Sequence, residues 1–249
     1  MAAIELRGLS HTFGGRRPVP ALAGVDLEVP DGAFVSVVGP SGCGKSTILR
    51  VLAGLQVPSA GAALVGGVST IGRAGLVAYM PQKDLLLPWR RVLGNATLGA
   101  EVAGVPRAEA KAAALGLMER FGLAGFERSW PAQLSGGMRQ RVALLRTFLQ
   151  PARTLLLDEP FGALDAITRR GMHIWLQDVW MRDRRTVLFI THDVEEALLL
   201  SDTVYVMSPR PGRMVARVDV AFERPRTGGL VVEPAFVRLK AELLGALEG

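Results

Sequence analysis

Val25, Leu27 and Val29 alternate with polar neighbours, the period of a half-buried strand. Residues 33–38 form an apolar run broken only by Ser36 and ended by Gly39, the mark of a buried strand. Beyond a glycine-rich stretch, Ile48, Leu49, Val51 and Leu52 follow at helical spacing. Ala114, Leu117, Met118 and Phe121 repeat on one helical face, and 138–150 is free of glycine and proline, so 85–150 reads as mostly helical. Strand patterns return at 76–80, 154–157, 186–190, 204–207 and 214–220. Met172, Trp175, Leu176 and Val179 form an apolar helical stripe between two of them, and Phe236, Leu239, Leu243 and Leu247 mark a last amphipathic helix. Strands alternating with helices around one all-helical insert predict an α/β protein with a mainly parallel sheet and a helical subdomain. No repeat or low-complexity tract modifies that reading.

Composition adds limits. The 249 residues are 49% hydrophobic, which excludes disorder and leaves ample surface to bury. No uncharged apolar run approaches the ~20 residues of a membrane span; 186–200 is broken by His192, Asp193, Glu195 and Glu196. Glu5 and Arg7 interrupt the N-terminus before a secretion signal can form, and Cys43 has no cysteine to pair with, so a reducing cytoplasm is expected. The net charge of +6 is compatible with nucleic acid, an anionic membrane surface or anionic small ligands. Basic residues are scattered, and no aromatic side chains interleave with them as on a single-strand-binding face, which favours a solvated surface.

The chemistry begins at Gly39-Pro40-Ser41-Gly42-Cys43-Gly44-Lys45-Ser46-Thr47, between the buried strand and the helix. This is the P-loop pattern in its required context. Glycines let backbone N–H groups converge, the helix adds the positive end of its dipole, Lys45 supplies a point charge for β- and γ-phosphates, and Ser46 can offer its hydroxyl to Mg²⁺. Cys43 reads as a small side chain where only small ones fit. Leu155-Leu156-Leu157-Asp158 places a carboxylate at a strand end, where a nucleotide hydrolase holds Mg²⁺, and Glu159 beside it can orient and deprotonate water. Acidic residues at a strand end also cap helices, so the pair acquires this meaning only together with the P-loop.

Between them, Leu134-Ser135-Gly136-Gly137-Met138, followed by Arg139, Gln140, Arg141 and Val142, resembles the signature sequence of ATP-binding cassette (ABC) proteins, in a variant ending in methionine. Ser135 is independently a good N-cap, and the two glycines expose N–H groups. Gln82 resembles the family's Q-loop glutamine, Gly162-Ala163-Leu164-Asp165 its D-loop, and His192 its switch histidine. The motifs stand in the family's order over essentially the whole chain.

The resemblance implies an α/β P-loop NTPase with the ABC ATPase fold: a RecA-like core, an antiparallel β subdomain and a helical subdomain. Its expected limits are core 1–84 and 151–225, helical subdomain 85–150 and C-terminal helix 234–248, all within one ATPase domain. It further implies that Phe13 stacks on adenine and that Gly39 to Thr47 bind the phosphates of ATP. Ser46, Gln82 and Asp158 would arrange Mg²⁺, Glu159 would activate water, and His192 would contact the γ-phosphate. Ser135, Gly136, Gly137 and Asp165 would act on nucleotide held by a second, head-to-tail copy.

Soluble members of the family acting on nucleic acid or the ribosome are the alternative, but they carry long coiled coils or two cassettes, and 46–134 is too short for such coils. Met80-Pro81-Gln82, Leu85 to Leu87 with Pro88-Trp89, Val92-Leu93-Gly94-Asn95-Ala96 and Ser208-Pro209-Arg210-Pro211-Gly212-Arg213 resemble bacterial importer subunits of the nitrate, sulfonate and taurine group, which includes carriers of thiamine pyrimidine precursors. Such systems add a permease, which 81–89 would receive, and a periplasmic binding protein. The subunit would then sit peripherally on the cytoplasmic face of the inner membrane, with no nucleic-acid partner. The stretch 66–75 departs from the group in lacking a longer loop, and an appended regulatory domain is not expected.

Overall fold

The computed structural model describes residues 2–248. Strands β1 (Ala2–Phe13), β2 (Val19–Pro30), β4 (Ala60–Val65) and β5 (Val68–Ser69) form an antiparallel sheet in the order β2-β1-β4-β5. The larger sheet is built from β3 (Phe34–Val38), β6 (Ala78–Met80), β7 (Thr154–Asp158), β8 (Thr186–Ile190), β9 (Thr203–Met207) and β10 (Met214–Asp219). Its order is β10-β9-β3-β8-β7-β6, parallel except for β10 on the edge. Strands β3, β7, β8 and β9 are buried at every position, because both faces of a parallel sheet are covered.

Alternate residues of those strands serve two cores. Leu155, Leu157, Val187 and Phe189 face Trp175 and Trp180 of α5 (Ala166–Asp183) and the helical insert. Leu156, Leu188 and Ile190 face Ile48, Leu49 and Leu52 of α1 (Lys45–Leu52) and the antiparallel sheet. The insert holds α2 (Val92–Val102), α3 (Arg107–Met118), a 3-10 turn at Pro131–Gln133 and α4 (Gly136–Phe148). Helices α6 (Val194–Leu200) and α7 (Pro234–Glu248) close a third core, in which Phe236 and Leu243 are fully buried.

Two sequence expectations need correction. The strand read at 76–80 is confined to Ala78–Met80, and 85–91 is not helical. It is held as a loop by the buried Asn95 amide, which accepts from Leu87 N at 2.7 Å and donates to the Leu87 and Arg90 carbonyls. Among the described residues no helix is long and apolar enough to cross a membrane.

The segment before α7 is fastened by Arg226, which is 4% exposed. Its guanidinium donates to the Leu198, Ser201, Val220 and Phe222 carbonyls at 2.6–3.1 Å, while Gln177 exchanges two hydrogen bonds with its backbone. Nearby, Arg224 stacks on Trp180 at 4.3 Å and pairs with Asp202 at 2.8 Å.

Candidate active site

The parallel sheet order β3-β8-β7-β6 is what assembles the site. Val37 pairs with Ile190, Ile190 with Asp158, and Leu157 with Met80, so the four carboxyl ends lie level. The P-loop leaves β3, His192 follows β8, Asp158 and Glu159 end β7, and Gln82 follows β6. Residues far apart in sequence therefore share one edge, where ligands of open α/β sheets bind.

The P-loop needs its glycines. Gly44 lies at φ 112°, and a Cβ there would come within 2.6 Å of Leu22 and 2.9 Å of the Ala21 carbonyl; one on Gly39 would meet the Met207 carbonyl at 2.9 Å. Helix α1 starts after Gly44 with no side-chain cap and no acidic residue in its first turn, so its dipole is open to an anion. Lys45 Nζ is buried and donates to the Gly39 and Pro40 carbonyls at 2.7 and 3.0 Å. Cys43 and Thr47 turn inward and are buried, while Ser41 is exposed and Ser46 partly so. Arg210, reaching from 208–213, donates through Nε and a terminal nitrogen to the Gly42 carbonyl at 3.1 and 2.9 Å.

Asp158 is 2% exposed, and its Oδ1 is buried with no hydrogen-bond partner. Burial pushes its carboxyl above the ordinary carboxylate range, the Ser46 hydroxyl opposes the shift, and the adjacent Glu159 adds to it. Glu159 adopts a left-handed backbone, φ 47°. Its Oε2 accepts from Gln82 Nε2 at 3.1 Å and lies 3.3 Å from His192 Nδ1. Three residues from separate motifs thus meet at one oxygen.

Gly136 lines the same cleft as Gln82, Glu159 and His192, which encloses about 540 Å³. Ser135 caps α4, accepting from Met138 N at 3.2 Å. Asp165 caps α5: its carboxylate accepts from the Thr168 N–H at 3.0 Å, the bond that chiefly holds it below the usual range, so this side chain is occupied on its own helix. Phe13 is half-buried at the end of β1, its ring 4.5 Å from that of His11 and edge-on to it.

The loop after Gln82 exposes Leu85 (59%) and Trp89 (72%), whereas Leu86 packs on the core. Arg146 binds the Asp84 and Leu85 carbonyls, and Arg139 pairs with Asp84 at 3.1 Å. Asn95, Arg139, Arg146 and Gln140 thus act around the site without a role having been read for them in the sequence. Gln140 alone had a usable signal, as a polar residue on the buried stripe of Ala143, Leu144 and Thr147.

Fold and site together define a P-loop ATPase of the ATP-binding cassette class. A match to the ABC transporter family spans residues 22–162. The taurine import ATP-binding protein of Yersinia pestis is 39% identical over 247 residues, 97% of this chain and 96% of that one. Its counterpart from Rhizobium johnstonii is 44% identical over 236 residues, 93% and 90% of the two chains. A solved dimeric ATP-binding cassette in a post-hydrolysis state, bound to ADP and Pi, superposes with a TM-score of 0.78 at 26% identity, covering 88% of this chain and all of that one. The chain belongs to the ABC transporter family and is an ATPase that binds nucleotide.

Proposed function

We propose that the chain powers uptake of a small taurine- or sulfonate-type solute through a separate permease. The observation carrying the ATPase mechanism is the meeting of Gln82 and His192 on the Glu159 carboxylate, beside the P-loop. Import rests on the taurine-import relatives matching nearly the full chain, which also disfavours a nucleic-acid or ribosomal role. Nitrate and thiamine-precursor uptake remain within the same reading of the motifs.

In this reading Lys45 and the amides of 42–47 bind the phosphates, Phe13 stacks on adenine, Glu159 takes the proton of the attacking water, and His192 steadies the γ-phosphate. Ser135, Gly136, Gly137 and the turn ending at Asp165 face nucleotide on a second, head-to-tail copy. Mg²⁺ fits the residues present: Asp158 offers a buried oxygen with no partner, the Ser46 hydroxyl bonds the same carboxyl, and Gln82 reaches the adjacent Glu159. An ion of this kind takes one or two carboxylates and completes its shell with water and substrate oxygens. When bound, the ion would neutralise charge developing on the phosphates.

The division into core 1–84 and 151–225, helical subdomain 85–150 and helix 234–248 belongs to this proposal. So do docking of the permease at 81–89, indirect dependence on a periplasmic binding protein, and a peripheral position on the cytoplasmic face of the inner membrane. Glu159→Gln is the test: ATP should still bind while turnover falls by about a hundredfold or more, the share a general base supplies. Wild-type hydrolysis by this variant would remove Glu159 from the role of base. Co-expression with the permease and uptake of labelled taurine, against nitrate, tests the solute.

A further inference from the structure

We propose that Gln140 is the positioning residue that aims the Glu159 carboxylate, and that through it the helix carrying Ser135, Gly136 and Gly137 is fixed to the base of its own chain. The inference rests on the reading of Glu159 as the base. Gln140 is 6% exposed, and both ends of its amide are used on opposite sides of one turn. Nε2 donates to the Glu159 carbonyl at 2.8 Å, and Oε1 accepts from Ala163 N–H at 2.8 Å. A glutamine supplies donor and acceptor on one planar group, so it can bridge a carbonyl and an N–H at once.

What it holds is an unusual peptide. Glu159 has a left-handed backbone that a side chain with a Cβ disfavours, and such a conformation persists only where its surroundings over-determine it. The remaining restraints are the bond from Glu159 N–H to the Ile190 carbonyl at 2.9 Å and a longer one from Gly162 N–H at 3.2 Å. Of the three, only Gln140 comes from outside the sheet and the turn itself. If this peptide rotates, Oε2 leaves Gln82 and His192, and misplacement by about 1 Å can lower a rate by about a hundredfold. Because Gln140 lies in α4, the helix that Ser135 caps, one side chain links the helix offering backbone amides to one nucleotide with the turn carrying the carboxylate that serves the other.

The test compares Gln140→Met, which keeps the packing and loses both bonds, with Gln140→Glu, which keeps an acceptor for Ala163 N–H but sets an oxygen against the Glu159 carbonyl. Steady-state ATPase kinetics, equilibrium ATP binding and melting temperature are measured, with Glu159→Gln alongside. Both Gln140 variants should lose about tenfold or more in kcat while KM and ATP affinity stay within about twofold. An unchanged kcat, or KM and melting temperature worsening in step with kcat, would overturn the proposal while a silent Glu159→Gln leaves the base in place. Rapid turnover by Glu159→Gln would instead remove the base and the proposal with it. Should Gln140→Met fail to fold, the same split measured on Gln140→Glu decides.

Discussion

Arg226→Met sets two large and opposed energies against each other. Burial, with the neighbouring Arg224 adding to it, pulls the guanidinium pKa down from its ordinary value to about 10, which corresponds to roughly 3 kcal/mol against the charged form near neutral pH. Against this stand four hydrogen bonds from a charged donor, each contributing about 1.5–3 kcal/mol. Two of the acceptors, Leu198 and Ser201, lie at the carboxyl end of α6, where a cation also meets the helix dipole. The bonds win this comparison, and methionine would leave four carbonyls in an interior that offers little else. A loss of about 3–5 kcal/mol is expected: carbonyls left without a donor cost about 1–3 kcal/mol each, and the desolvation recovered on removing the guanidinium offsets part of that. In a chain of this size that corresponds to a fall of about 6–20 °C in melting temperature. Calorimetry near neutral pH without nucleotide reads the change, and ATPase activity well below the transition should be retained because Arg226 is not on the catalytic strand edge. A variant melting at or above the wild type would refute the reasoning, showing that desolvation outweighs the carbonyl bonds.

Other substitutions separate nucleotide chemistry from coupling. Leu85→Asp with Trp89→Asp should leave ATPase activity of the isolated chain within about twofold and abolish solute uptake with the permease, because both side chains are exposed and neither enters the core; unchanged uptake would exclude the loop as the docking site. Leu86 is unsuited to that test because it packs on the core. Gly44→Ala should weaken ATP binding by about tenfold or more, since its Cβ would displace Leu22 and the Ala21 carbonyl at a φ that alanine avoids; titration with a fluorescent ATP analogue reads the loss, and wild-type affinity would count against the loop geometry.

The sequence disclosed most where one force dominates. Strands β3, β7 and β8 are apolar throughout because both faces are covered, and the P-loop is written in consecutive residues because one turn makes it. Strand β1 escaped notice because its alternation changes phase: Ile4 and Leu6 are buried, then Leu9 and His11, across a register shift at Gly8. Strand β4, Ala-Gly-Ala-Ala-Leu-Val, is too poor in large side chains to give a pattern. In the site, the motifs supplied which residues meet, whereas the partners of their supports could not be read, even for Gln140, whose place on a buried stripe was itself a signal. Asn95, Arg139, Arg146 and Gln140 act through backbone carbonyls and amides and through ion pairs across 55 or more residues in some cases, and no local pattern encodes such a partner.

The left-handed peptide at Glu159 sets evolutionary pressure on that position in opposite directions. A non-glycine residue at such a φ carries about 1–3 kcal/mol of strain. Glycine or asparagine would relieve it, and neither provides a carboxylate. Selection for thermal tolerance alone would therefore favour substitutions at 159 that, in the proposed mechanism, remove the base. With Glu159 as the proposed base, stability and turnover therefore cannot both be raised by a single change at this position.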